Sequence, residues 1–259
     1  MIVAGIDIGS LSTETVLIDE NRTILSYSIV FTGANSKKAS NASFEEAIDL
    51  AVVKREDIGY VLSTGYGRER VDFADDQVTE ITCHARGLHF LHPATRSIID
   101  IGGQDSKAIS INEQGKVMNF AMNDKCAAGT GRFLEVMARA LEIELDEMGD
   151  LSLRSSEPVS ISSMCTVFAE SEVISLIADG MVVEDIILGI HQSVSGRVTG
   201  LLDRVGAREE IAMSGGVAKN KGVVTAIEEN LGLSIHIPDE PQIIGSLGAS
   251  LIALDRVIS

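Results

Sequence analysis

Asp7 and Asp100 are the two carboxylates in this chain whose surroundings repeat. Ala4-Gly5-Ile6-Asp7-Ile8-Gly9-Ser10 and Ile98-Ile99-Asp100-Ile101-Gly102-Gly103 share the form apolar-Asp-Ile-Gly-small. Each Asp closes a β-rich run and meets glycine. A carboxylate at such a turn can hold the waters of a Mg²⁺ ion, and the glycines let backbone N–H groups approach a phosphate. One such turn is ordinary strand punctuation. Two of them facing each other would grip a polyphosphate from both sides. A third element, Met213-Ser214-Gly215-Gly216-Val217-Ala218-Lys219-Asn220, runs from strand through a double glycine into helix and suits a nucleoside lying against backbone. No G-x-x-x-x-G-K-[ST] occurs, and no G-x-G-x-x-G follows a strand, which argues against P-loop and Rossmann sites.

The elements that must position these turns also repeat. Ile2–Ile8, Thr13–Ile18 and Thr23–Phe31 read as three strands joined by short turns, an antiparallel meander. Residues 32–42, rich in Gly, Asn, Ser and Lys, read as a loop. Phe44–Val53 reads as a helix, Ile58–Thr64 as a strand and Gln77–Leu91 as a helix. The pattern restarts with strands Ser97–Ile101, Ser106–Ile111 and Val117–Met122, then a helix over Gly131–Leu141. A short strand is expected at Val159–Ser162 and helices at Thr166–Ala178 and Glu184–Val205. A strand at Ile211–Met213, a helix at Lys221–Asn230, a strand at Ser234–Ile237 and a helix closing over 243–257 complete the chain. The expectation is a duplicated α/β fold: one lobe over residues 1–94, a second over 95–259, and a cleft between them. The last helix is expected to return to the first lobe.

Composition narrows the function classes. The chain has 259 residues, 45% of them hydrophobic and 23% charged, enough for two lobes of about 100–150 residues. Its 38 acids against 21 Lys and Arg give a net charge of −17. Such a field repels nucleic-acid backbone and anionic lipid, so neither is expected as a partner. No run of about 18 uncharged apolar residues is present, so no membrane span is expected. The N-terminus has no basic n-region, and a cytoplasmic location is expected. Cys83, Cys126 and Cys165 lie far apart, with no C-x-x-C. Their spacing alone fits buried structural thiols as well as ligands, and one chain cannot supply a complete four-thiolate site. Cys83, beside His84, reads as a packed thiol. His89, His92, His191 and His236 show no metal spacing, and the acidic stretch 142–150 reads as a solvated face. Lys107 and Lys125 are weak candidates for neutralising phosphate.

The layout resembles the superfamily of acetate and sugar kinases, heat-shock chaperones and actin, with Asp7–Gly9 as first phosphate motif, Asp100–Gly103 as second and Ser214–Val217 as adenosine motif. A closer resemblance is carried by Met122-Asn123-Asp124-Lys125-Cys126-Ala127-Ala128-Gly129-Thr130-Gly131-Arg132-Phe133-Leu134 and by Ile161-Ser162-Ser163-Met164-Cys165-Thr166-Val167-Phe168-Ala169-Glu170-Ser171-Glu172. Thr64-Gly65-Tyr66-Gly67-Arg68 and Asp100-Ile101-Gly102-Gly103-Gln104-Asp105 match as well. These segments resemble the activators of 2-hydroxyacyl-CoA dehydratases, the archerases.

The resemblance implies an actin-like (ribonuclease H-like) ATPase that injects a low-potential electron into a partner iron–sulfur enzyme: a dehydratase, a reductase or a double-cubane protein. It implies a homodimer holding one [4Fe-4S] cluster on Cys126 and Cys165 of both chains, reduced by ferredoxin or flavodoxin. Around ATP or ADP and Mg²⁺ it places Asp7 and Asp100 at the metal and Gln104 and Asp105 at the attacking water. Gly9, Ser10, Leu11, Ser12, Thr13, Gly102 and Gly103 would lie at the phosphates. Gly215, Gly216, Val217, Asn220 and Gln242 would lie at the adenosine. A small-molecule kinase and a filament-forming ATPase of the same superfamily are the alternatives. One departure stands out. The family's first turn usually runs D-x-G-S-T-x-S-K, whereas here Leu11 replaces the Thr and Glu14 stands in the place of the Lys. Either Glu14 points away and Lys107 or Lys125 substitutes for the missing lysine, or Glu14 faces the phosphates and nucleotide binding is weaker and more dependent on Mg²⁺; the second is the expectation.

Overall fold

The computed structural model describes residues 1–162, 165–207 and 209–258. In the first half, strands β1 (Ile2–Ile8), β2 (Ser12–Asp19) and β3 (Ile24–Phe31) form the expected meander. They are followed by helix α1 (Ser36–Ala51), strands β4 (Ile58–Thr64) and β5 (Asp76–Gln77), and helix α2 (Glu80–Leu91). The second half repeats the plan with strands β6 (Ser97–Ile101), β7 (Ser106–Ile111) and β8 (Val117–Asn123). Helices α3 (Gly131–Ala140), α4 (Glu147–Ser152), α5 (Thr166–Ala178) and α6 (Val183–Val205) come next. Strand β9 (Ile211–Ser214), helix α7 (Lys221–Leu231), strand β10 (Ile235–His236) and helix α8 (Ile244–Ile258) end the chain.

The two sheets match position for position. One has the order β3-β2-β1-β4-β5 and the other β8-β7-β6-β9-β10. In each, the first strand pairs antiparallel with the second and parallel with the strand that follows the first helical segment. Alternation along β1 decides which side chains meet which layer. Ala4, Ile6 and Ile8 face Phe44, Ala47 and Ile48 of α1, whereas Val3 packs with Leu247, Leu251 and Leu254 of α8. In the second sheet Ile99 and Ile101 join the core under α3 and α6, while Ile98 packs with Ala85 and Leu88 of α2. The order of layers is therefore α1, first sheet, α8 and α2, second sheet, then the helices of the second half.

Helices α2 and α8 pack against each other between the sheets. Their approach is very close: a Cβ on Gly248 would lie 1.8 Å from the carbonyl oxygen of Cys83. Cys83 is fully buried at this crossing, and burial pushes its thiol up to about 12, which accords with a packed thiol.

Four local expectations need correction. Helix α1 begins at Ser36 inside the segment read as a loop. The Asn35 side chain accepts a hydrogen bond from the Lys38 amide at 3.0 Å, and that N-cap outweighs a composition which by itself favours a loop. Asp76–Gln77 is a strand end rather than the start of a helix, because parallel pairing with β4 captures it. No strand forms at 159–162. Instead the Val159 amide donates to the carbonyl of Asp185, tying this segment to α6. The acidic stretch is also more than a solvated face, since Met148 and Gly149 within it are buried in α4.

Candidate functional site

Period-two alternation places both repeated aspartates on the sheet faces that meet in the middle of the molecule. Asp7 shares its face with Val3, and Asp100 with Ile98. Each sits at the C-terminal end of its strand, so the turns that follow confront one another across a cleft of about 560 Å³. Asp7, Gly9, Ser10, Leu11, Ser12, Asp100, Gly102, Gly103, Asp105, Gly215, Gly216, Val217, Asn220 and Gln242 all line this one cleft. Two of the expected residues do not. Thr13 is buried on the opposite face of β2, bonded to Thr32 at 2.8 Å. Gln104 is exposed and outside the lining. Gly215 adopts φ 87°, and a Cβ there would lie 2.3 Å from the carbonyl oxygen of Ile101, so only glycine lets this turn close over the end of β6.

The electrostatics of the cleft were only partly legible in the sequence. Asp100 is the best satisfied of its acids. The Ser214 hydroxyl donates to its Oδ1 at 2.9 Å and the Lys107 ammonium to its Oδ2 at 3.0 Å. Burial would raise its pKa, but His84, Lys107 and Ser214 together hold it down to about 2. Lys107 is itself buried and pairs also with Asp105 at 2.5 Å and Glu80 at 3.4 Å. Burial disfavours its charged form, but the three carboxylates outweigh this and raise its pKa. It is thus locked among acids rather than free to meet a phosphate.

Asp7 has the opposite balance. Burial, then the nearby charges of Glu14, Glu80 and Asp100, push its carboxyl well above the usual range. Glu14 lies directly across the β1–β2 ladder from Asp7, a like-charge pair on one face. Its own carboxyl is raised from 4.5 to about 7, chiefly by burial. Gln242 Nε2 donates to Glu14 Oε1 at 3.2 Å and to Ser12 Oγ at 3.0 Å. Gln242 thereby ties the connector leading into α8 to the first phosphate turn, and its amide also lies beside Gly216.

Further side chains were missed from the sequence, among them Glu80 and His84 on α2, and Lys219. The first two are spaced i, i+4 and so project from one helical face into the cleft. That spacing was the available signal. Glu144 and Asp146 of the acidic stretch also line the cleft. On the far side, Asn220 caps α7 by accepting from the Val223 amide at 3.1 Å. Its Nδ2 lies 3.4 Å from Nε2 of His191, a residue that burial holds down to about 4.

The cysteines occupy the second half. Cys126 is half-buried in the segment between β8 and α3, where its carbonyl accepts from Asn123 Nδ2 at 2.8 Å. Cys165 is exposed and is the N-cap of α5. Ser163 and Met164 of the second cysteine motif lie outside the described residues. Helix α5 carries an unusual surface, with Val167, Phe168 and Ile174 each more than half exposed. Among the described residues, no three His, Cys, Asp or Glu side chains are grouped to hold a metal ion.

The BadF/BadG/BcrA/BcrD ATPase family model matches residues 4–253. The chain belongs to that family. Among proteins of this kind, the activator of lactoyl-CoA dehydratase from Anaerotignum propionicum is 48% identical over 255 residues, covering 98% of each chain. Two solved structures superimpose over the whole of this chain. The activator of the 2-hydroxyisocaproyl-CoA dehydratase from Clostridium difficile, with bound ADPNP, gives a TM-score of 0.96 at 45% identity and is covered over 96% of its length. Component A of the Acidaminococcus fermentans (R)-2-hydroxyglutaryl-CoA dehydratase gives 0.97 at 44% and is covered completely. The fold is the duplicated, two-lobed α/β fold of the actin-like ATPases; the repeated turns foretold its two halves and the resemblance its family.

Proposed function

We propose that this protein is an ATP-dependent electron donor. It works as a homodimer to activate an iron–sulfur partner enzyme: a 2-hydroxyacyl-CoA dehydratase, an acyl-CoA reductase or a double-cubane protein. The observation that carries this is the combination, in one chain, of two opposed Asp–Gly turns around a cleft and two free cysteines at the approaches to helices in the second lobe. The names of the relatives point the same way.

The cleft is suited to a metal-bound polyphosphate. Asp7, Glu14, Glu80, Asp100 and Asp105 line it against Lys107, His84 and Lys219. Bare ATP would be repelled by this surplus of acids, whereas hard carboxylate oxygens are the donor set Mg²⁺ prefers. Asp7 and Asp100 would hold the ion through its waters, and the glycine turns would offer backbone N–H groups to phosphate. Asp105 lines the cleft and would orient the attacking water; Gln104 would have to turn inward to join it. Gly215, Gly216, Val217 and Asn220 would flank the nucleoside.

The cysteine set also fits its group. Cys126 and Cys165 supply half the thiolates of a cubane, and the apolar outer face of α5 supplies a surface for a second copy. Unpaired N–H groups at the start of α5 lie next to Cys165 and would favour an anionic cluster. The cluster, when bound, supplies one-electron transfer at low potential, delivered by ferredoxin or flavodoxin. The chain's own residues bind nucleotide, hold the thiolates and present the docking helices.

Protein purified without oxygen should be brown and contain about four irons per dimer. Cys126→Ser and Cys165→Ser should each abolish the iron, while Cys83→Ser should leave it near wild type. Full iron in either of the first two variants would overturn the ligand assignment. A colourless protein that phosphorylates a small acceptor would establish the kinase alternative.

A further inference from the structure

Among the described residues, His84 is the one basic side chain within ion-pair distance of the aspartates of both opposed turns, and nothing so far gives it a task. It projects from α2, the helix held between the two sheets, and its side chain is 8% exposed. Its Nδ1 lies 3.0 Å from the Ser214 hydroxyl and 3.4 Å from Asp100 Oδ1, both at strand ends of the second sheet. Its Nε2 lies 3.8 Å from Asp7 Oδ2, at the strand end of the first. Ser214 closes a triangle by donating to the same Asp100 oxygen at 2.9 Å.

The ring therefore spans the gap between two carboxylates that would otherwise face each other across buried space. Lys107 occupies the other oxygen of Asp100, and among the described residues His84 is the only basic side chain within ion-pair distance of Asp7. A hinge motion of the lobes would change the separation of Asp7 and Asp100. A rigid imidazole in contact with one and bonded to the hydroxyl that holds the other sets that separation.

We propose that His84 is a positioning residue. Together with Ser214 it holds the two aspartates at a spacing at which both would serve one Mg²⁺ site, and so links lobe closure to metal binding. This rests on the reading of the cleft as a Mg²⁺–nucleotide site. A ring that only filled space would be replaceable by any side chain of similar volume. A positioning ring is not, and the partners that orient metal ligands are commonly worth 10–100-fold in metal affinity when removed.

The experiment is a titration of ADP binding by calorimetry at stepped Mg²⁺ concentrations, on the wild-type dimer and on His84→Gln, Ser214→Ala and the double variant. His84→Gln retains a hydrogen-bonding side chain, and Ser214→Ala removes a single hydroxyl and should fold even if the histidine variant does not. Each single variant should raise the Mg²⁺ concentration for half-maximal binding by about tenfold. The double variant should be little worse than the worse single one, because both act through the same triangle. For His84→Gln, affinity measured without Mg²⁺ should change less than twofold. Mg²⁺ midpoints within twofold of wild type, or fully additive effects, would show that His84 is a packing residue. Wild-type protein that binds no nucleotide at any Mg²⁺ concentration would overturn the nucleotide reading, and this proposal with it.

Discussion

Replacing Glu14 by Gln should stabilise the nucleotide-free protein, and only above mildly acidic pH. The native carboxyl is raised from 4.5 to about 7, chiefly by burial beside β1. Between those values the unfolded chain has released its proton and the folded chain still holds it. Stability therefore falls as pH rises through that window, and the shortfall is complete once pH passes the folded value. A shift of this size is worth about 3 kcal/mol. Glu14→Gln removes that cost and keeps an amide oxygen able to accept from Gln242. His191 works in the opposite sense: burial lowers it from 6.5 to about 4, so its contribution makes stability rise with pH over 4–6.5. The two partly mask each other in the wild type, and the difference between wild type and variant is the informative quantity. Urea unfolding from pH 4 to pH 9 should give equal stabilities near pH 4. An advantage for Glu14→Gln should then grow to roughly 3 kcal/mol above pH 8. A difference that stays flat across the range would refute a buried, proton-holding Glu14. In the same cleft, Glu14→Lys should tighten ATP binding and reduce its dependence on Mg²⁺, measured by titration at low Mg²⁺; unchanged affinity there would show that this side chain does not act on the phosphates.

Lys107→Met should be far more damaging than its single charge suggests, because Asp100, Asp105 and Glu80 lose a shared buried partner. A loss of roughly 3–5 kcal/mol in denaturant unfolding is expected at pH 7, with partial recovery at low pH as carboxyls protonate. Gly248→Ala puts a methyl group against the Cys83 carbonyl and should cost about 1–3 kcal/mol by driving α2 and α8 apart. Calorimetric melting should show the loss, and nucleotide affinity should fall with it, because α2 carries His84 and Glu80.

The duplication was legible because Asp7 and Asp100 each combine a strand-end apolar run with glycine, a pattern that local sterics impose wherever backbone must approach a ligand. The two opposed turns of the cleft lining followed from it, while the turn at Gly215-Gly216 was read from a separate motif. The chemistry around the aspartates was less legible, because it comes from residues distant in sequence. Lys107 acquires its meaning only when β7 pairs with β6 and places it opposite Asp100. His84 reads as a neighbour of a packed cysteine until the crossing of α2 and α8 aims it at two strand ends. Glu14 was noticed for its place in the first turn, and it does line the cleft. Its orientation toward the cleft follows from alternation, but its bond to Gln242 joins residues 228 apart in sequence. The start of α1 was missed for a local reason, since one Asn side chain turns a polar segment into a helix.

Helix α8 has a consequence for how the molecule is made. It covers Val3, Val16 and Leu62 of the first sheet, yet it is the last of the described elements along the chain. Strand β4, the last main strand of that sheet, is complete at residue 64, so some 194 further residues (258 less 64) must leave the ribosome before its apolar face is covered. At an elongation rate of about 5–20 residues per second that interval is roughly 10–40 s. The second sheet, with its strands and nearly all its covering helices contiguous in the chain, can assemble within this time. The half of the molecule made first is thus finished last, and in the interval it presents a bare hydrophobic sheet of the kind that chaperones bind. Ribosome-bound chains arrested before residue 244 should recruit a holdase through residues of β1, β2 and β4, and chains arrested well beyond residue 258 should not.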